Sequence, residues 1–496
     1  MNYNMNKIFI WVIWAIILLL SPISLYAQAP DTLWTRSYIS LADSTNYEVC
    51  AHACVTDKVG NLFVTGSVYL NDSRDYLILK YSSDGELLWA RTYNGTAHGD
   101  DIAHACAVDD SGNIYVTGES YNGTSYDYLI VKYNANGDTL KTYRYNGPAN
   151  GRDGALGCAI DGSGDIYVTG HSFSGSNDDY LTIKYTADLD TLWTSSYNGP
   201  ANGSDWANAC AIDNSENLIV TGYSNNGSGT DHLTIKYNPA GDTLWTRKTY
   251  GPPNSFDDPS GCAVDAFDNI LITGYYFFNG MNAACLTIKY NSSGDSLWSS
   301  HYECPSGDNA MAVVCALDRV GNLYVTGYSS DGMFYDYLTI KYSPEGDTFW
   351  TCQYGGIWVD RAYGCCVDSL GNLFVTGGTS DDGVNSAAFT IKYNTATGIE
   401  SEQEQRDINS TLKLEQNKPN PFSQYTVISY QLTTSGSTNL KIYNVTGQLV
   451  KSFNMGPQQP GPHQVEWNDS KIPAGIYFYR LTSGDHQAAK KLIVVK

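Results

Sequence analysis

The sequence predicts an all-β fold: a seven-bladed β-propeller closed by an N-terminal strand, followed by a small Ig-like β-sandwich. Three observations carry that expectation. Alternating apolar runs are cut into strand lengths by Gly, Asn and Asp clusters. The same set of runs recurs at a nearly fixed period. The last strand type of the repeat also appears once ahead of the first complete unit. Composition agrees, because 47 Gly and 39 Tyr with only 16% charged residues suit a turn-rich β protein better than a helical one. A net charge of −22 disfavours nucleic acid and other anionic partners.

Taken in order, residues 1–27 read as a secretory signal peptide. Lys7 precedes the apolar run Ile8 to Leu20, and Ser24-Leu25-Tyr26-Ala27 supplies a small residue at a cleavage point. An uncleaved anchor is the alternative, although the run is short for a full span. Once the signal is removed, no later segment reaches transmembrane length, so the mature chain is expected to be soluble and exported.

The repeat occupies residues 31–397. VTG-type strands end at Gly66, Gly118, Gly170, Gly222, Gly274, Gly327 and Gly377, spaced 50 to 53 residues apart. An I-K-Y strand follows each, ending at Tyr81, Tyr133, Tyr185, Tyr237, Tyr290, Tyr342 and Tyr393. A third motif, GDTLW, places Trp89, Trp193, Trp245, Trp298 and Trp350, with Lys141 in the second unit. Its remaining copy is Asp31-Thr32-Leu33-Trp34, and none follows Tyr393. In a closed ring that offset lets the N-terminal strand complete the last sheet and removes an open edge. Small residues such as Ala103, Ala105 and Ala107 precede each D-x-x-G-N turn, whereas Trp and Tyr fill the last strand. Radial sheets crowd at the axis and splay at the rim, so the four strands are ordered A (ACAVD), B (VTG), C (IKY) and D (LWT) from inside out.

With these residues in hand, ACAVDDSGNIYVTG, DYLTIKYN and GDTLWT resemble the bacterial seven-bladed propeller repeat known as the SBBP repeat. The resemblance implies a fold and leaves activity open.

Residues 398–411 are charged and aperiodic and read as a linker. From 412 to 496, TVISYQL, NLKIYNVTGQLV, HQVEWN, GIYFYRLTS and KKLIVVK read as strands of a small sandwich. LEQNKPNPF, LKIYNVTGQLV, IPAGIYFYRL and the terminal KKLIVVK resemble the C-terminal sorting domain of the type IX secretion system of Bacteroidetes-like bacteria. That resemblance implies the type IX machinery as a partner through residues 412–496. It also implies passage through the periplasm to the cell surface or the medium.

Several side-chain sets are candidates for function. Cys54, Cys106, Cys158, Cys210, Cys262, Cys315 and Cys365 repeat at one inner position and read as small packing residues. Five further cysteines lie outside that ring, and the sequence selects no disulfide among them. His52 with Cys54 and His104 with Cys106 have zinc chemistry at i, i+2 spacing, but the other units keep Cys without His, so no metal is expected. The D-x-x-G-N turns lack the spacing of calcium loops and read as hairpin turns. Asp101, Asp153, Asp205, Asp257 and Asp360 each stand five residues before a ring Cys, while units one and six carry Val49 and Ala310 there. They are expected to circle one mouth of the channel, either capping the D–A loops through backbone hydrogen bonds or contacting a cation or polar ligand; the ring is tolerable without a cofactor, and calcium would need further oxygen ligands. Trp206 and the variable D–A and B–C loops share that face and supply stacking and hydrogen-bonding groups.

No G-x-S-x-G, H-E-x-x-H, P-loop or dinucleotide motif is present, so the sequence assigns no catalytic residue and reads against an enzyme. The expectation is a surface or released propeller binding an extracellular protein or glycan. The alternatives are a polysaccharide lyase or hydrolase acting at the acidic mouth, or a structural surface component.

Overall fold

The structure, a computed structural model, describes residues 30–39, 48–249, 256–278, 282–330, 334–356, 358–380, 385–395, 412–414, 417–420, 422–432, 435–444, 449–469, 472–473, 475–483 and 486–495. The signal-peptide reading of 1–27 and the linker reading of 398–411 fall outside them. The chain divides into two compact units, Met1–Ala396 and Thr397–Lys496.

In the first unit the described residues form seven four-stranded antiparallel sheets arranged as a propeller. Six use strands consecutive in sequence; the first sheet runs Val49–Thr56, Leu62–Leu70, Ser73–Tyr81 and Leu87–Tyr93. The last combines Arg361–Val367, Leu373–Thr379 and Ala387–Asn394 with the N-terminal strand Asp31–Tyr38, which pairs from Asp31↔Asn394 to Tyr38↔Ala388. Inner strands pack on one another in chain order, and the last packs on the first, so the ring is closed.

Each A–B turn is self-contained. Asp57 Oδ1 accepts from the Val59 and Asn61 amides at 3.1 and 2.8 Å, while Asn61 Nδ2 donates to Asp57 Oδ2 at 2.8 Å. The same pattern recurs at Asp109, Asp265, Asp318 and Asp368. Gly60 between them has φ 86°, which explains the glycine of the motif.

The glycine of VTG has a steric cause. A Cβ on Gly222 would lie 1.9 Å from the Trp206 carbonyl oxygen and 2.6 Å from the Tyr180 hydroxyl of the preceding blade. That hydroxyl donates to Leu233 O at 3.2 Å, as Tyr76 does to Leu129 O and Tyr128 to Leu181 O at 3.3 and 3.4 Å. Tyr337 donates likewise to Phe389 O at 3.3 Å, so these buried tyrosines stitch four of the blades to the next, and only glycine leaves room for them.

The second unit is a sandwich. Leu412–Leu414, Tyr425–Leu432 and Gly461–Asn468 form one sheet. Leu449–Gln458, Gly436–Asn444, Gly475–Ser483 and His486–Val494 form the other. Ile428, Val465 and Trp467 from the first share a core with Leu440, Tyr479 and Leu492 from the second.

Three blades depart from the stitch, carrying His232, Cys285 and Ala388 where the other four carry the tyrosine. In the fourth blade His232 pairs with Thr249 where earlier blades place Tyr76 with Tyr93 and Tyr180 with Tyr197. A hollow of about 780 Å³ opens there, lined by Thr249, Tyr276, Leu286 and Ile288. His232 is buried, its Nδ1 has no hydrogen-bond partner among the described residues, and burial holds its pKa down at about 4. Unfolded, the imidazole binds a proton below about 6.5, whereas the folded one resists protonation until about 4, so its contribution is complete above 6.5 and is lost as pH falls through that window. His232→Tyr restores the repeat's own residue. Denaturant unfolding at pH 7 should show a gain of about 1 kcal/mol, and the drop in midpoint between pH 7 and pH 4 should shrink.

Candidate functional site

Each inner strand enters from its D–A loop, and the repeated aspartate stands at that entry. The structure places Asp101, Asp153, Asp205, Asp257 and Asp360 inside the protein, each at most 4% exposed. Asp153 accepts from Gly147 N at 2.6 Å, Ser172 Oγ at 2.5 Å and Phe173 N at 3.2 Å. Asp205 likewise accepts from Gly199 N and Asn225 N at 2.6 and 3.0 Å, and Asp101 from Gly95 N at 2.5 Å. Asp360 accepts from Gly356 N at 2.8 Å and from Thr379 Oγ1. Asp257 joins Thr230 through its backbone, with Asp257 N donating to Thr230 Oγ1 at 2.9 Å. The expectation of carboxylates presented at the channel mouth is corrected by this burial: Asp153, Asp205 and Asp360 fasten the D–A loop to the end of strand B, and Asp101 holds its own D–A loop through Gly95. Burial raises the pKa of Asp101 and Asp153 despite these donors.

The mouth is built instead from the next position on strand A and its partner on strand B. The facing pairs are Cys50↔Ser67, Ile102↔Glu119, Gly154↔His171, Trp206↔Tyr223, Asp258↔Tyr275, Met311↔Tyr328 and Arg361↔Gly378. Two residues further along strand A a β-bulge turns one more side chain inward, for example His52, His104, Asn208 and Tyr363. These positions differ from blade to blade, whereas their neighbours repeat.

Side chains at these positions touch one another along the mouth. Arg361 lies over the rings of Tyr335 and Tyr328 at 4.7 and 5.2 Å. Its guanidinium has no carboxylate partner among the described residues, and its Nε is buried without a hydrogen bond. Tyr328 meets Tyr363, Tyr363 meets His52, and His52 stacks on His104 with centroids 5.6 Å apart. His104 approaches Glu119 at 3.6 Å, and Glu119 holds Arg152 through two contacts of 3.0 Å. Burial works to raise the Glu119 pKa, but His104 and Arg152 bring it below its ordinary value. Arg152 reaches over Trp206, which stacks on His171 at 3.8 Å and donates Nε1–H to Asp178 at 3.1 Å. Farther round, Asp258 accepts from Asn208 at 2.6 Å and from the Tyr275 hydroxyl at 3.1 Å. Burial pushes its pKa up to about 6.

Burial, then the adjacent His104, lowers the pKa of His52 to about 4, and burial followed by Arg152 lowers that of His171 to about 3. Both imidazoles are therefore neutral at pH 7. Among the described residues no group of three or more His, Cys, Asp or Glu converges for a metal ion. His52 Nδ1 is instead bonded to Ala103 O at 2.7 Å.

Below the belt the channel encloses about 340 Å³, lined by bulge residues, small residues and the ring cysteines. Burial pushes the thiols of Cys106, Cys210 and Cys315 up to about 12, so they are inert packing groups.

Of the residues singled out by sequence, Trp206 joins the belt and the five aspartates lie behind it. Glu119, Arg152, His171, Tyr328 and Arg361 escaped sequence reasoning. Their signal was present as variation at fixed places, notably the residue after each VTG.

Comparison with known proteins bears on the second unit first. Residues 419–495 match the secretion system C-terminal sorting domain, and the chain carries a type IX export signal there, directing it to the cell surface or the medium. An uncharacterized WD repeat-containing protein of Acanthamoeba polyphaga mimivirus is 26% identical over 155 residues, which is 24% of this chain and 11% of that protein. Among solved structures, PorZ is similar; it is described as an essential bacterial surface component of the type IX secretion system of Porphyromonas gingivalis. It shares 13% identity at a TM-score of 0.43, over 88% of this chain and 58% of PorZ. A copper-bound fungal alcohol oxidase of the AA5 family shares 11% identity at a TM-score of 0.47, over 95% of this chain and 100% of the oxidase.

The aspartate geometry yields a test. Asp153→Ala leaves two buried amides and a hydroxyl without their acceptor and should cost about 3 kcal/mol in denaturant unfolding. Calcium and chelator should leave the midpoint of the unaltered protein where it is, whereas a cation held by the aspartates would make that midpoint rise with calcium.

Proposed function

We propose that this chain is an exported binding protein whose propeller takes a polar extracellular ligand on the belt at its mouth, and that the ligand is a glycan. The observation that carries this reading is the contrast within the repeat. Scaffold positions are nearly constant through seven units, while the paired positions at the mouth carry Glu119, His171, Trp206, Tyr223, Asp258, Tyr275, Tyr328 and Arg361. Packing alone gives no reason for seven equivalent sites to differ in charge and shape. Partly exposed Trp and Tyr faces beside guanidinium, carboxylate and amide groups suit sugar rings, whose C–H faces stack and whose hydroxyls need both donors and acceptors. A lyase or hydrolase acting through Asp153 and Asp205 draws no support from carboxylates buried against their own loops.

Type IX export supplies the setting, because the ligand then lies outside the cell. Two experiments follow. The purified protein is screened on glycan and protein arrays, and the best binder is titrated against Trp206→Ala and Arg361→Ala. A loss of at least tenfold in affinity, with unfolding midpoints changed little, supports the belt. Unchanged affinity in both variants moves the site elsewhere, and a protein binder with no glycan binder overturns the ligand class.

For export, a chain ending at Ser410 should accumulate in the periplasm, followed by cell fractionation. Delivery of that shortened chain to the surface or medium would remove the sorting domain as the address.

A further inference from the structure

Six of the seven seams in this ring join blades that are consecutive in the chain. At the seventh, where the last blade meets the first, the chain crosses only from the N-terminal strand Asp31–Tyr38 to Val49–Thr56, and backbone pairing holds that strand to the other three of the last blade. The sequence changes at that seam. In the column after the ring cysteine, the first six blades carry Val55, Ala107, Ala159, Ala211, Ala263 and Ala316, but the seventh carries Cys366. The Sγ atom of Cys366 lies 3.2 Å from Sγ of Cys54, a residue 312 positions away on the inner strand of the first blade. All twelve cysteines are described and free, and no other two sulfurs are paired in this way among the described residues. The two inner strands run side by side at this seam, and a Cβ on Gly364 would lie 2.8 Å from the Cα of Ala53, so backbones are already close.

We propose that Cys54 and Cys366 are joined by a disulfide that locks the propeller ring after the last blade meets the first. The compartment permits it, because a chain exported by the type IX route crosses the oxidising periplasm. The oxidant is a protein disulfide of the thiol–disulfide oxidoreductase class. One cysteine thiolate attacks that disulfide to give a mixed disulfide, and the second cysteine thiolate displaces it. A new S–S bond forms, the oxidant's S–S bond breaks, and two electrons and two protons leave the cysteine pair and reduce the oxidant to a dithiol. Both thiols are enclosed once the ring is shut, so the exchange belongs to the stage at which the seam is closing. A bond spanning this many residues removes much freedom from the unfolded chain. It also holds together the two ends of a ring that would otherwise open at one place.

The inference is independent of what the mouth binds. The test uses the full-length protein purified from the secreting cell without reductant, denatured in the presence of an alkylating agent and digested. A peptide pair joined through Cys54 and Cys366, lost on reduction, is the expected result. Alkylation of both residues, or either one joined to a different cysteine, overturns the proposal. Cys366→Ala places in the seventh blade the residue that five other blades already use, so the variant is compatible with the fold. Its unfolding midpoint should fall by about 5 °C to that of the reduced protein and should no longer respond to reductant. A midpoint equal to that of the unaltered protein, with the same response to reductant, overturns it as well.

Discussion

A lysine ammonium drawn in from solvent at the blade seams dictates most of the repeat. Lys80, Lys184, Lys236, Lys289 and Lys392 are each at most 7% exposed, and a charge taken that far from water costs several kcal/mol unless its surroundings replace the lost hydration. Three kinds of group do so. The turn aspartate of the same blade supplies a carboxylate, as Asp213 does for Lys236 at 2.8 Å and Asp265 for Lys289 at 2.9 Å. In five blades an aromatic ring on strand B lies beneath the ammonium, with Phe63 below Lys80 and Tyr167 below Lys184, both at 4.8 Å, whereas Ile219 and Leu271 stand opposite Lys236 and Lys289. A backbone carbonyl from the next blade completes the shell: Lys80 donates to Ala135 O and Lys289 to Pro344 O, both at 3.1 Å. The same carbonyls accept from the tryptophans of strand D, Trp89 and Trp298. Four motifs that look separate in the sequence thus answer the needs of one cation.

That economy explains why the fold was legible in the sequence. D-x-x-G-N, the aromatic at the start of strand B, I-K-Y and L-W-T are local strings, and each recurs because the seam it serves recurs. Even the offset of the repeat has its counterpart in space. Trp34, from the N-terminal strand, and Lys392, near the end of the last repeat, both donate to Ser83 O, at 3.3 and 2.9 Å. The closing seam therefore uses the same clasp as the others, with its two donors drawn from opposite ends of the unit.

The candidate site was less legible, and the reason is physical. An aspartate five residues before a cysteine looks the same whether its carboxylate faces solvent or turns back onto its own loop. Only the path of the D–A loop decides, and that path depends on a glycine amide six residues upstream of Asp101, Asp153 and Asp205. Likewise, a cysteine beside a ring cysteine gains meaning only when the first and last blades meet. Trp206 was found because a lone tryptophan stands out among small residues. Arg361 and Glu119 were missed because one charged residue in one repeat reads as ordinary drift until the register places it opposite a partner.

Variation inside an otherwise uniform repeat then becomes informative in its own right. In a ring of equivalent sheets, each column of residues meets nearly the same surroundings, so scaffold physics selects one residue for all blades. The inner glycine of VTG and the buried I-K-Y lysine obey that rule. The belt breaks it. Where the seventh blade has Gly378, the fourth and fifth have Tyr223 and Tyr275, and the second has Glu119. Neutral His171 is stacked on Trp206, while the Arg361 guanidinium lies over two tyrosine rings. Such an arrangement gives the mouth a direction: one arc carries a guanidinium among tyrosines, and another carries the buried acid Asp258 with its amide and phenol donors. A symmetric scaffold that presents an asymmetric mouth would, for the proposed ligand, distinguish the two ends of an extended polar molecule lying across it. A uniform ring could recognise only something as symmetric as itself.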